Sequence, residues 1–153
     1  MRRMADDEIQ RLLDEVTWGT LCSVTPEGEP YAIEFTYFED GGDFCGIINP
    51  SGIIAACIRH QTSVCLKVCE SSRLSTGYRG ASLFGAAALV ETKEPEEMAR
   101  IWQVLETRMK KPGIFAIAAE KYSQPGNLLP ILRIQVERRS GVTSWPEREA
   151  ERK

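Results

Sequence analysis

Residues 17–48 read TWGTLCSVT-PEGEP-YAIEFTYFE-DGGD-FCGII. The β-branched and aromatic run Thr17–Thr25 predicts a strand, and Pro26-Glu27-Gly28-Glu29-Pro30 predicts the turn that ends it. In Tyr31–Glu39 the period is two. Tyr31, Ile33, Phe35 and Tyr37 share one face, and Ala32, Glu34 and Thr36 share the other. Asp40-Gly41-Gly42-Asp43 is a hairpin signal, and Phe44–Ile48 is a third strand. Three strands joined by tight turns call for an antiparallel sheet.

Outward from this core, the pattern alternates between helix and strand. Ile9, Leu12, Leu13 and Val16 fall on one helical face behind Asp6 and Asp7, whose charge suits a helix N-terminus. After the third strand, Asn49-Pro50-Ser51-Gly52 breaks the sheet and starts a short helix reaching about His60, with Asn49 or Ser51 as its cap. Strands follow at Ser63–Glu70 and Tyr78–Glu91, where Gly80 and Gly85 permit bends or bulges. Pro95–Lys111 is amphipathic through Met98, Ile101, Trp102, Leu105 and Met109, and Pro112-Gly113 stops it. Ile114–Tyr122 is a further short helix, and Leu128–Arg138 is the last strand. The expected fold is mainly β with flanking helices: a six-stranded antiparallel barrel, with a single domain over 1–143 and a charged tail over 144–153.

Composition narrows the function. Of 153 residues, 42% are hydrophobic and 27% charged, with net charge −3, so the chain is globular. A pI near 5.3 without a basic stripe argues against nucleic acid as the main partner. No apolar run approaches the roughly 20 residues that a membrane helix needs. Met1-Arg2-Arg3-Met4 leads straight into acidic residues, so no signal peptide is expected and the cytoplasm is the expected location. Five cysteines and one histidine, without paired ligand spacing, read as reduced thiols and no metal site.

Three phrases carry a family resemblance. They are Gly19-Thr20-Leu21-Cys22-Ser23-Val24-Thr25-Pro26-Glu27-Gly28-Glu29-Pro30-Tyr31, then Arg59 to Val68, then Tyr78 to Ala87. In order and spacing the chain resembles the pyridoxamine 5'-phosphate oxidase-like, FMN-binding split barrels, nitroimidazole-resistance-like branch, over roughly residues 3–142. The resemblance implies a homodimer with FMN in a groove at the dimer interface, and an oxidoreductase of the pyridoxamine-phosphate-oxidase-like or nitroreductase type. The flavin ring would lie against the second and third strands, at Tyr31, Ile33, Glu34, Ile47 and Ile48. The phosphate would sit at Asn49, Ser51, Gly52 and Ile53, where a helix N-terminus favours an anion. Asn49, Ser51 and Gly52 are alternatively an ordinary cap, and Glu34 alternatively faces solvent. Arg79 either meets the phosphate or is an exposed arginine or part of an interfacial ion pair. Trp145 either covers the partner's groove or anchors packing.

The chain departs from the flavin-binding pattern H-x-x-x-x-G-R-K at this turn. Here it reads Ile47-Ile48-Asn49-Pro50-Ser51-Gly52-Ile53-Ile54, so the histidine and both basic residues are replaced by isoleucine. At about 1.5–3 kcal/mol per charged hydrogen bond, two lost cations weaken phosphate binding appreciably. The backbone of Ser51 and Gly52 remains, with Arg79 or Arg59 as substitute cations. The alternative function is therefore a non-catalytic dimer that binds a flavin or another small ligand through a degenerate phosphate site.

Overall fold

In a computed structural model, which describes residues 1–71 and 77–145, the strand expected over 31–39 breaks at Tyr37. That break sets the architecture. The pieces on either side, β3 (Pro30–Thr36) and β4 (Phe38–Asp40), become the two opposite edges of one antiparallel sheet. The other elements are β1 (Arg2–Arg3), α1 (Asp6–Glu15), β2 (Trp18–Val24), β5 (Asp43–Ile47) and α2 (Ile53–His60). They continue with β6 (Ser63–Ser71), β7 (Tyr78–Thr92), α3 (Pro95–Met109), α4 (Ala116–Ser123) and β8 (Leu129–Thr143).

The strand order is β3-β2-β6-β7-β8-β5-β4, with β1 added beside β8. The barrel thus closes through a covalent corner at Tyr37 and not through a hydrogen-bonded ladder. Among the described residues eight strands replace the expected six, for two physical reasons. The long second strand divides at the corner, and two N-terminal residues pair with the end of β8, Arg2 opposite Thr143. That end exists because β8 runs five residues past the predicted Arg138 to Thr143. The charged run Glu147–Lys153 lies outside the described residues.

Gly46 makes the corner possible. A Cβ there would sit 2.5 Å from the Phe35 ring and 2.6 Å from the Thr36 carbonyl oxygen, so only glycine lets β5 lie against the end of β3. At Gly85, beside the β-bulge at Phe84/Gly85, a Cβ would strike the Gln135 carbonyl.

Two apolar clusters share β5 and β8. Phe44, Leu132 and Ile134 face the barrel interior with Leu12, Leu21, Phe35, Tyr37, Leu66 and Leu83. The alternate residues Cys45, Leu129 and Ile131 face α3, against Ile101, Trp102 and Leu105. Burial on both faces explains why Phe44–Ile48 reads as an unbroken apolar run.

Helix α1 ends without a basic residue in its last turn. The cation comes instead from α3. Arg108 donates to the carbonyl oxygens of Leu13 (2.5 Å) and Val16 (2.8 Å), and its guanidinium lies 4.4 Å from the Tyr37 ring centroid. The Tyr37 hydroxyl reaches the same two carbonyls, and burial pushes its pKa up to about 12. At the other end of α1, the Glu8 carboxylate accepts from the Ala5 amide at 2.9 Å and from both Arg2 nitrogens. Among the described residues no helix is long and apolar enough to cross a membrane.

Candidate functional site

Among the described residues the corner at Tyr37 leaves β3 hydrogen-bonded only to β2, and a groove of about 1080 Å³ opens beside it. Tyr31, Ile33 and Glu34 line it from β3. Ile47 at the end of β5, then Ile48, form its apolar floor. Asn49, Ser51 and Gly52 close one end, and Ile53 opens α2 beside them. The volume lies at the upper end of what small-molecule sites occupy, and the mixture of apolar wall and few polar groups is what such sites show.

The turn is organised by Asn49. Its side-chain oxygen accepts from the Ser51 amide and its carbonyl from the Gly52 amide, both at 3.0 Å. The expected cap is therefore corrected. Neither Asn49 nor Ser51 caps α2; the N-cap is Gly52, which has no side chain to offer. The Ser51 and Gly52 amides are already used within the turn. The next two, of Ile53 and Ile54, have no acceptor among the described residues, as at any uncapped helix start. These are the groups through which α2 can receive an anion.

The two isoleucines differ in burial. Ile53 is 55% exposed at the groove edge, whereas Ile54 is 4% exposed and packs in the barrel core. An apolar residue at 54 is thus required by packing, and a lysine there would bury an ammonium group.

Arg79 and Trp145 lie together in another part of the same chain. Arg79 is 8% exposed, pairs with Glu15 and Glu70, and has its guanidinium 4.9 Å from the Trp145 ring centroid. With Arg2 and Arg11 they line a cavity of about 240 Å³. Each of these arginines already has a carboxylate partner, Glu8 for Arg2 and Asp7 for Arg11. This cavity is below the usual size for a cofactor. Arg59 stands next to the groove's turn, where it donates to the Pro50 carbonyl at 3.0 Å.

The wall opposite β3 was not legible as part of a site. It consists of Trp102 and Leu105 from α3, Phe115 before α4, and Lys121 and Tyr122 from α4. Trp102 forms ring contacts with Phe115 (centroids 5.7 Å apart) and Tyr122 (6.3 Å). In the sequence Trp102 reads as a core or interface residue, and it is 9% exposed while also lining the groove. The signal was the weak amphipathicity of α4. It has no buried residue, and Ile117 is 86% exposed, so this helix is a wall and not a core element.

Fold and groove together define a split β-barrel with an open groove beside β3. Three solved structures share the fold over most of this chain. An FAD-binding protein from Mesorhizobium loti matches at TM-score 0.68 and 17% identity, covering 94% of this chain and 98% of its own. A Bacteroides thetaiotaomicron protein described as a 5-nitroimidazole antibiotic resistance protein matches at 0.67 and 13%, covering 92% and 85%. A haem-binding protein from Mycobacterium smegmatis matches at 0.68 and 21%, covering 93% of this chain and 55% of its own. No curated protein matches in sequence. The sequence profile of pyridoxamine 5'-phosphate oxidase matches residues 5–142, and the chain belongs to that family.

Proposed function

We propose that the groove beside β3 holds FMN and that the protein is an FMN-dependent oxidoreductase of the pyridoxamine-phosphate-oxidase-like type. The observation that carries this reading is the groove's composition. An apolar floor, an aromatic wall and two open helix amides converge in one space of cofactor size. The floor of Ile47 and Ile48 suits one face of a flat ring, and the Ile53 and Ile54 amides suit a phosphate. Tyr31, Ile33 and Glu34 would flank the ring, with Asn49, Ser51 and Gly52 shaping the phosphate end.

FMN supplies the electron transfer when bound, so the chain's own residues need only position, exclude water and set polarity. Glu34 is the single carboxylate lining the groove among the described residues. It is exposed, so it both lines the groove and meets solvent. The neighbour named as haem-binding suggests another occupant. Among the described residues the groove is lined by no histidine, cysteine or methionine, so a haem there would have to be held through Tyr31 or Tyr122, and His60 lies at the far end of α2.

A second copy of the chain completes the proposal, as a homodimer enclosing the groove. Exposed Trp18 and Ile117 are apolar surface that such pairing would cover. The five cysteines are all free thiols, which supports a reducing, cytoplasmic setting. One observation favours the alternative of a non-catalytic flavin or small-ligand carrier. Ile53 and Ile54 stand where the family's flavin binders have their basic pair.

The deciding experiment is the visible spectrum of the purified protein, with its supernatant after denaturation. Flavin absorbance and released FMN are expected. A colourless protein that also fails to take up added FMN would overturn the reading.

A further inference from the structure

We propose that Lys121, on α4, is the cation that meets the anionic group of the groove's ligand, in place of the basic pair lost at Ile53 and Ile54. The inference rests on the flavin reading of the groove and names the protein's side of the charge. The ligand class it selects is a flat heteroaromatic carrying a phosphate.

Charge inventory is the first argument. Among the described residues lining the groove, Lys121 is the one cation and Glu34 the one anion. Lys121 makes no ion pair among the described residues; its ammonium lies 5.2 Å from the Tyr122 ring centroid, inside the aromatic wall. An ammonium resting on an aromatic face beside an apolar groove is a cation without a counter-charge. The competing cations lie outside the groove's lining. Arg79 is paired to Glu15 and Glu70 away from the groove, and Arg59 bonds the Pro50 carbonyl without lining the groove.

Position is the second argument. The Asn127 side chain donates to the Lys121 carbonyl at 2.6 Å, which ties the end of α4 to the loop before β8. That loop leads directly into Pro130, whose carbonyl accepts from the Ile48 amide at 3.3 Å. Ile48 immediately precedes the Asn49–Gly52 turn. These hydrogen bonds tie the end of α4 to Ile48, just after β5, and Lys121 lines the same groove as Ile53 and Ile54. The flexible four-carbon stem of lysine lets its charge reach a ligand held in the groove.

The test is a fluorescence titration of the full chain with FMN and with riboflavin, which lacks the phosphate. The variants are Lys121→Met, Lys121→Arg and Arg59→Met. Lys121 is exposed, so its substitution leaves the fold intact. Lys121→Met is expected to weaken FMN about tenfold, as for a partly exposed charged hydrogen bond, and to leave riboflavin unchanged. Lys121→Arg is expected to restore FMN binding, and the wild-type FMN affinity to fall more steeply with salt than that of Lys121→Met. Equal FMN affinity in wild type and Lys121→Met would overturn the inference while leaving the flavin reading intact. So would equal losses of FMN and riboflavin, or an FMN-specific loss in Arg59→Met alone. Failure of the wild type to bind either flavin would overturn the flavin reading, and this inference with it.

Discussion

Gly52 has an unstrained backbone, with φ −81°, and serves as a helix N-cap without a side chain. An aspartate there would supply the missing acceptor to α2, and its Cβ would sit 3.2 Å from the Asn49 carbonyl oxygen, a tight but adjustable contact. Gly52→Asp is therefore expected to leave stability unchanged or raise it by a few tenths of a kcal/mol, about the gain of aspartate over glycine at this position. The same carboxylate would occupy the open amides and repel a phosphate, so FMN affinity should fall at least tenfold, roughly the worth of one charge-assisted hydrogen bond. Thermal unfolding and flavin titration on one sample separate the two effects, and undiminished FMN binding would remove the phosphate from this turn. Ile53→Arg is expected to act in the opposite direction. It is the one of the two isoleucines that can be exchanged without entering the core.

At the scale of elements, α1 is held at both ends by residues from other parts of the chain. Its N-terminal end is held by Glu8, whose carboxyl is lowered to about 2 by hydrogen bonds from Arg2 and from the Ala5 amide. A lowered carboxyl contributes stability above its ordinary 4.5, and that contribution is lost as pH falls toward 2. Its C-terminal end is held by Arg108 and Tyr37. Arg108→Met should cost about 2 kcal/mol, in the range of a charged hydrogen bond. That corresponds to a melting temperature about 4–8 °C lower for a chain of this size. A shift under 1 °C would show that Tyr37 alone suffices. The helix itself was readable from Ile9, Leu12 and Leu13, because periodicity reports which face is buried. Its anchoring was not, because Arg108 lies more than ninety residues away and nothing local marks it. The same limit applies to the groove. Its near wall follows from contiguous residues 31–53, whereas its far wall needs α3 and α4 to fold back over β5, which no local pattern encodes.

At the scale of the molecule, the closure at Tyr37 is the decisive event, and the alternation over 31–39 concealed it. Tyr31, Ile33, Phe35 and Tyr37 keep their common side, so the pattern continues through the corner although the sheet partner changes. Gly46 is the local condition for that corner. Gly46→Ala is expected to destabilise by about 1–3 kcal/mol, the usual range for overpacking, through the Phe35 ring and the Thr36 carbonyl. Chemical denaturation measures it, and a neutral result would mean that β5 can retreat from β3 without loss. The corner also decides what the groove can inherit. Because β3 has, among the described residues, a ladder partner on one side only, its other edge presents main-chain N–H and C=O groups toward the split. Those polar handles belong to the chain's spine, not to any residue type. Evolutionary drift can rewrite every side chain along this edge and still leave a descendant able to grip a new flat, polar-rimmed guest.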